Sequence, residues 1–181
     1  MQPAVRVATS ADLPALVDSL GQERFFAERL GRQRAGRGLL LVAWLAGTPV
    51  GDVYLWLEPA EEPELRQRLP GVPLLQHLEV RPRHRNRRIG SALIRAAEQL
   101  LAGRGHARVA LGVHPANHGA DRLYRRHGYR EWPYPQILTS AEELRPDGTS
   151  YRRAELCRVL VKDLAAPGVR AGWRWPGQCL D

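Results

Sequence analysis

The sequence predicts one domain of the α/β (α+β) class, with helices packed on a sheet of mixed direction. Its 181 residues slightly exceed one domain of ordinary size. Apolar residues make up 44% and charged residues 25% of the chain, which is typical of globular proteins. Segments with a strand pattern alternate with amphipathic helical segments. These observations exclude a disordered tail protein, a collagen-like fibre and a disulfide-stapled miniprotein.

The first part of the chain predicts a strand, two helices and a hairpin. Residues 4–8 form a short strand, and Thr9, Ser10 and Asp12 then offer side-chain oxygens that cap a first helix. A second helix is predicted over residues 22–34. The hairpin is predicted from apolar runs at residues 39–45 and 50–57, joined by the turn 46–49.

The middle of the chain predicts a loop, a strand and a helix. Residues 58–73 hold four prolines and four glutamates, a composition that predicts a loop with one helical turn at 62–69. The next strand covers residues 74–80 and ends before a proline. An amphipathic helix then begins at Ile89 and ends at the glycines Gly103 and Gly105.

The last part predicts three more strands and one helix. Residues 107–113 form a strand, and Asn117 is placed as the N-cap of a helix. Gly128 ends that helix in the left-handed conformation. Strands are predicted at 129–132 and 154–161, with a loop between them.

Several protein classes are excluded by what the sequence does not contain. Its longest unbroken apolar run, Leu39 to Ala46, has eight residues, far fewer than the ~20 that span a bilayer. The N-terminus has no apolar segment of the kind found in secretory signals. Cys157 and Cys179 do not have metal-type spacing. We therefore expect a cytoplasmic protein with no membrane partner and no metal.

The positive charge is concentrated in one loop. The chain has 27 Lys and Arg against 19 Asp and Glu, a net charge of +8, and Lys162 is its single lysine. The total charge suits solubility as well as it suits an anionic partner. The loop, however, lies directly before a helix, whose first turn presents unpaired N–H groups, and Gly90 lets a phosphate approach closely. The arginines concerned are Arg81, Arg83, Arg85, Arg87 and Arg88.

Two segments resemble signature motifs of the GCN5-related N-acetyltransferases, the GNAT family. The pyrophosphate loop of that family reads (Arg or Gln)-x-x-Gly-x-(Gly or Ala), and this chain has Arg85-Asn86-Arg87-Arg88-Ile89-Gly90 after a strand. Arg88 departs from the motif, because the family usually has glycine there. The second motif, Asn-x-x-Ala-x-x-Leu-Tyr-x-x-x-Gly-(Phe or Tyr), is complete. It comprises Asn117, Ala120, Leu123, Tyr124, Gly128 and Tyr129.

The resemblance implies a fold, a cosubstrate and a set of binding residues. It covers residues 4–164 and implies one domain over 1–164, with a mostly antiparallel central sheet flanked by helices, followed by a tail over 165–181. It implies an acyltransferase that uses acetyl-CoA and no metal. The residues implied to bind acetyl-CoA are Leu78, Glu79, Val80, Arg85, Asn86, Arg87, Arg88, Ile89, Gly90, Ser91, Asn117 and Tyr124.

The implied reaction is direct attack of an amine on the thioester of acetyl-CoA. By resemblance, backbone N–H groups at Leu78 to Val80 stabilise the oxyanion, and Tyr124 is the donor to the leaving thiolate. A phenol has a pKa of about 10 and a thiol of about 8.5, so complete proton transfer costs ~2 kcal/mol. The other interpretation of Tyr124 is a core aromatic residue on an amphipathic helix.

The group that removes the proton from the amine is left open. Glu79 is the first candidate, because it lies on the strand beside the thioester, and His77 is the second, because strand alternation places it on the same face. His114 is the third, and a chain of waters is the alternative to all three. Family members that acetylate ribosomal protein N-termini often have a glutamate five residues before the motif asparagine. This chain has Gly112 there.

The acceptor is predicted to be a primary amine of a small molecule. Trp44, Tyr54, Trp56 and the acidic loop 58–64 are predicted to shape its pocket together with the loop 133–150, since aromatic and acidic groups suit a small cation. Three alternatives remain: a peptide or protein N-acetyltransferase, a non-catalytic acetyl-CoA-binding module, and a nucleic-acid binder. No nucleic acid is expected as a partner, because the basic loop has no interleaved aromatic residues. A homodimer is left open, because many relatives dimerise.

Overall fold

The computed structural model describes residues 2–144 and 150–164. In chain order the elements are β1 (Ala4–Val7), α1 (Leu13–Leu20), α2 (Glu23–Arg34), β2 (Gly38–Leu45), β3 (Thr48–Trp56), α3 (Pro63–Arg68), β4 (Leu74–Val80), α4 (Ile89–Gly103), β5 (Arg108–Val113), α5 (His118–Arg126), β6 (Arg130–Glu131), β7 (Ile137–Leu144) and β8 (Ser150–Asp163). Single 3-10 turns at Ser10–Asp12 and Pro82–His84 precede α1 and follow β4.

The strands form a mostly antiparallel sheet, as the resemblance implies. Their order is β1-β2-β3-β4-β5-β8-β6, and β7 pairs with β8 outside this path. The described strands contain one parallel pair, β4 with β5, which is joined at a single position where Leu74 lies opposite Ala110. Beyond this position β5 no longer pairs with β4. The sheet is therefore open between the two strands.

A hydrophobic core covers each face of the sheet, because alternate strand residues point to opposite faces. On one face α4 buries residues such as Leu93 and Leu101 against strand residues that include Val53. On the other face α1 and α2 bury Leu16 and Phe26 against neighbours that include Tyr54. The open part of the sheet is thus held between two packed layers.

Most of the predicted elements are confirmed, and the cap that precedes the first helix shows why. Thr9 donates its backbone N–H to Asp12 Oδ2 at 2.7 Å, as part of a capping box on the 3-10 turn Ser10–Asp12. The predicted side-chain cap is thus found on this turn, and α1, which follows it, has none of its own. The two terminal nitrogens of the Arg6 guanidinium also donate to the Asp12 carboxylate, at 2.7 and 2.8 Å. The predicted turn within 62–69 is α3.

One strand was missed. Residues 137–144 form β7, although they were predicted as part of a loop, and β8 begins at Ser150 rather than at residue 154. The sequence of β7 has no clear alternation of apolar and polar residues. Its backbone is organised instead by eight paired positions with β8, from Ile137 opposite Cys157 to Leu144 opposite Ser150. The predicted tail, 165–181, lies outside the described residues.

None of the helices in 2–144 and 150–164 is long and apolar enough to cross a membrane.

We predict that Gly38→Ala lowers the free energy of unfolding by about 2 kcal/mol, as expected for an overpacked core site. A Cβ atom at Gly38 would collide with the hydroxyl and ring of the fully buried Tyr54 and would lie 2.8 Å from Leu55 O. Urea unfolding measures the change.

Gly31→Ala is the matched control for this prediction. Gly31 lies inside α2, and a Cβ atom there would meet nothing within 4 Å. Since alanine favours a helix over glycine by up to about 1 kcal/mol, this variant should be more stable than the parent. Equal stability changes for the two variants would contradict the proposed contact at Gly38.

Candidate active site

The opening between β4 and β5 leaves backbone groups of β4 without a strand partner. Arg81 donates its N–H to Val50 O on β3, at 3.0 Å. Because successive N–H groups of a strand point in opposite directions, the Val80 N–H points away from β3, into the opening. Val80 O faces the same side and accepts a hydrogen bond from Arg85 Nε at 3.0 Å. The free edge therefore offers an N–H donor at the place predicted for the oxyanion.

A β-bulge in β4 lies beside this edge. The register runs from Tyr54 opposite Gln76 to Asp52 opposite Glu79, so one residue of β3 faces two of β4, His77 and Leu78. His77 has a φ of +49°, in the left-handed region that favours glycine. Bulges of this kind redirect side chains and are frequent near active sites.

The bulge brings three ionisable side chains together. His77 Nε2 lies 3.3 Å from Glu79 Oε2 and 3.8 Å from Asp52 Oδ2. Gln22, at the start of α2, donates from Nε2 to Glu79 Oε2 at 3.1 Å. The ring of Phe25 on α2 lies against the His77 imidazole, with 4.1 Å between the ring centres. Strand alternation predicts that His77 and Glu79 share a face of the sheet. The sequence analysis assigned no role in the site to Asp52, Gln22 or Phe25.

The three groups shift one another's proton affinity. Burial raises the pKa of Asp52 to about 7, although the nearby imidazole works against it. Burial lowers the pKa of His77, but the Glu79 and Asp52 carboxylates outweigh that effect and leave it raised. His77 in turn lowers the pKa of Glu79. Of the two candidate bases in this cluster, Glu79 and His77, His77 is thus the one whose proton affinity its surroundings increase.

The basic loop approaches the same end of β4 and leads into α4. Arg88 is the N-cap of α4 and supplies no side-chain cap, so the N–H groups of Ile89, Gly90 and Ser91 have no intrahelical acceptor. Arg88 has a φ of +62°, the conformation for which the family motif has glycine. The loop is therefore suited to an anion in backbone geometry as well as in charge.

Left-handed backbone is concentrated in this region. We call Asp52, His77, Glu79 and their neighbours Gln22 and Phe25 the bulge cluster. Five non-glycine residues among those described have a positive φ, and four of them lie in the bulge cluster or the basic loop. Such conformations cost about 1–3 kcal/mol each and are typical of functional sites. These four residues are Gln22, His77, Asn86 and Arg88.

Gly90 has a packing role that the sequence did not reveal. A Cβ atom there would lie 3.3 Å from Leu123 Cδ2 on α5. Glycine at this position therefore allows α4 and α5 to approach closely, in addition to any phosphate contact.

The second motif builds α5. Asn117 Oδ1 accepts the Ala120 N–H at 3.1 Å, which confirms its prediction as the N-cap, and Gly128 follows the helix with a φ of +85°. Tyr124 is 7% exposed, and burial raises its pKa to about 12. Its ring packs edge to face against Tyr129, with 5.7 Å between the ring centres.

For two residues, the predicted place in the acceptor pocket was wrong. Tyr54 is fully buried and Trp56 is 7% exposed, so both belong to the core beneath α2 rather than to an open pocket. Trp44 lies under the Arg6 guanidinium.

His114, the third candidate base, lies at the end of β5. Its Nδ1 accepts the Ala116 N–H, and its Nε2 lies 3.7 Å from Glu155, contacts that stabilise this end of the strand.

The part of the chain that the structure describes contains no group of three or more His, Cys, Asp or Glu side chains arranged to hold a metal ion.

Comparisons with solved structures agree with this architecture. The ribosomal-protein-S18-alanine N-acetyltransferase from Escherichia coli is 19% identical, with a TM-score of 0.63 over 93% of this chain and 99% of that chain. The PaiA N-acetyltransferase from Thermoplasma acidophilum, in complex with coenzyme A, is 16% identical, with a TM-score of 0.62 over 90% and 99%. The phosphinothricin acetyltransferase from Sinorhizobium meliloti, in complex with AcCoA, is 16% identical, with a TM-score of 0.65 over 94% and 93%.

The family assignment rests on the sequence. No curated protein matches the chain, but the sequence model of the acetyltransferase (GNAT) family matches residues 6–129 and so covers both motifs. Because this match spans more than half of the 181 residues, the protein belongs to the acetyltransferase (GNAT) family.

Proposed function

We propose that this acetyltransferase transfers the acetyl group of acetyl-CoA to a primary amine of a small cationic molecule. The observation that carries the proposal is the cluster of Asp52, His77 and Glu79 beside the free edge of β4. In this proposal the partly exposed Glu79 carboxylate and His77 imidazole face the amine, with the buried Asp52 behind them. A cluster of this charge attracts an ammonium group and offers it a proton acceptor.

The residues beside the opening fit the diphosphate of acetyl-CoA. The first turn of α4 offers three N–H groups without intrahelical acceptors, and the exposed arginines 85, 87 and 88 stand beside it. We propose that these groups bind the diphosphate and that the Val80 N–H binds the thioester oxygen. Acetyl-CoA supplies the activated acyl group.

Two groups of this chain would act on the developing charges. The Val80 N–H donates to the oxyanion as the amine nitrogen attacks the carbonyl carbon. The Tyr124 hydroxyl donates a hydrogen bond to the sulfur as the carbon–sulfur bond breaks. With a pKa of about 12 for Tyr124, complete proton transfer to a thiolate of pKa about 8.5 would cost ~5 kcal/mol. Tyr124 is therefore proposed as a hydrogen-bond donor that keeps its proton.

The acceptor side favours a compact cation over a peptide. The Glu79 side chain is 45% exposed, so its carboxylate is accessible to an ammonium group. Gly112 provides no carboxylate at the position where relatives that act on ribosomal protein N-termini often have glutamate.

A turnover screen with acetyl-CoA tests the acceptor class. We expect small primary amines with a second cationic group to give a higher kcat/KM than peptides with an N-terminal alanine. Release of CoA thiol measures the rate. Preference for the peptides would overturn the small-molecule assignment and leave the acetyl transfer itself intact.

Tyr124→Phe should reduce kcat on the order of 10- to 150-fold with little change in KM, because the lost hydrogen bond forms mainly as sulfur gains charge and is worth about 1.5–3 kcal/mol. Single-turnover acetyl transfer and CoA affinity are measured on the same protein. Tyr129→Phe is the control, since it removes the same atom from the neighbouring buried ring. Equal rates for both variants would show that Tyr124 is a core residue without a role in the reaction.

Arg88→Gly should weaken CoA binding about 3- to 10-fold, as expected for the loss of one exposed charge-assisted contact. Glycine keeps the left-handed backbone at this position, so the variant removes the guanidinium without disturbing the loop. Calorimetric titration with CoA measures the affinity, and Arg104→Gly, at the exposed other end of α4, controls for net charge. Tighter binding by Arg88→Gly would show that the side chain crowds the diphosphate.

A further inference from the structure

Asp52 is an unusual residue for the core of this protein. Among the described residues it is the one charged side chain that is buried, with 1% of its surface exposed. Its Oδ2 atom has no hydrogen-bond partner. A buried carboxylate without a partner is costly, and proteins normally retain one only where it interacts with a cation or serves a site. The cationic group closest to it is His77, at 3.8 Å.

His77 is held from several directions, with one side left open. The bulge fixes its backbone, Phe25 covers its ring, and Nε2 is fully buried between the two carboxylates. Nevertheless 28% of the His77 side chain is exposed. Since Nε2 contributes nothing to that exposure, the exposed surface belongs to the other atoms of the side chain.

We propose that Asp52 is a positioning residue, which holds the His77 imidazole with Nε2 toward the core so that Nδ1 accepts the proton of the attacking amine. This inference rests on the proposed acetyl transfer and assigns its proton acceptor. Asp52 is too deeply buried to touch the substrate and acts only through His77.

The tautomer follows from the geometry. A neutral imidazole carries one N–H, and the carboxylates 3.3 and 3.8 Å from Nε2 favour the proton on that nitrogen. The lone pair then lies on Nδ1. The ammonium group gives one proton to Nδ1, and the resulting amine attacks the carbonyl carbon. As the carbon–sulfur bond breaks, the second proton of the attacking nitrogen passes to the departing sulfur, which leaves the amide and the thiol of CoA. The imidazolium formed in this way is stabilised by both carboxylates until it releases its proton to solvent.

The charges around His77 come from three elements. Asp52 on β3 and Glu79 on β4 favour the imidazolium, whereas Arg29 on α2 opposes it. The two other neighbours, Gln22 and Phe25, carry no charge. Removing the Asp52 charge therefore leaves one favourable and one opposing charge. The proton affinity of His77 should fall as a result.

The first experiment reads the imidazole directly in the complete, ligand-free protein. Histidine labelled with 15N reports the pKa and the tautomer of His77 by NMR, and His77→Gln assigns its signals among the six histidines. We expect the neutral form of the parent to carry its proton on Nε2. Asp52→Asn should lower the His77 pKa by about one unit. Asp18→Asn removes the same charge from the exposed surface of α1 and should leave it unchanged.

The second experiment is the pH dependence of acetyl transfer. A base of raised pKa is active above that pKa, so the rate of the parent rises with pH through the His77 value. In Asp52→Asn the rise should move to lower pH by the same amount as the NMR titration. Because a weaker base removes the proton less readily, the plateau rate should fall by up to about tenfold.

Each outcome decides a separate point. A neutral tautomer with the proton on Nδ1 in the parent would overturn the proposal without any variant, so it stays testable even if Asp52→Asn does not fold. An NMR shift without a matching kinetic shift would remove His77 as the proton acceptor. Absence of turnover with every amine would overturn the proposed function, while the NMR result would still decide whether Asp52 orients His77.

Discussion

The single paired position between β4 and β5 is the constraint on which the rest of the site depends. Because the parallel strands meet only at Leu74 and Ala110, the sheet opens where it would otherwise close its hydrogen bonds. An unpaired strand edge normally costs free energy and attracts other chains. Here two packed cores flank the sheet on its two faces, and the arginine-rich loop stands at the end of β4. In the proposed function this opening holds the thioester, whose oxygen accepts a hydrogen bond from the backbone of β4.

The proposed donor to the sulfur and the proposed proton acceptor lie on opposite faces of the sheet. Tyr124 belongs to the core under α4, and the bulge cluster lies under the start of α2. A thioester held in the opening would meet the donor for its sulfur from one face and the amine from the other. The two groups to which we assign roles, Tyr124 and His77, therefore lie on opposite sides of the opening.

The sequence could predict what depends on local pattern, and little of what depends on contacts between distant elements. The caps at Thr9 and Asn117, the arginine loop and the residues of both motifs follow from spacing and residue type, and they were found. Asp52 was not found, because one aspartate in an apolar strand resembles an ordinary surface position until α1 and α2 are packed over it. The order of the two bases also could not be predicted, since it depends on distances between side chains of β3 and β4. The strand β7 was missed because its pairing with β8 defines it more than its own composition does.

The position of β8 has a consequence for how the molecule is made. Among the described residues this strand comes last, yet it lies in the interior of the sheet, where residues 158–163 pair with β5 and residues 160 and 161 pair with β6 as well. During synthesis on the ribosome, the edge of β5 that pairs with β8 therefore stays unpaired until about forty residues beyond β5 have been made. The two residues of β6 have no sheet to join before then. The sheet is therefore complete only once β8 is inserted between β5 and β6.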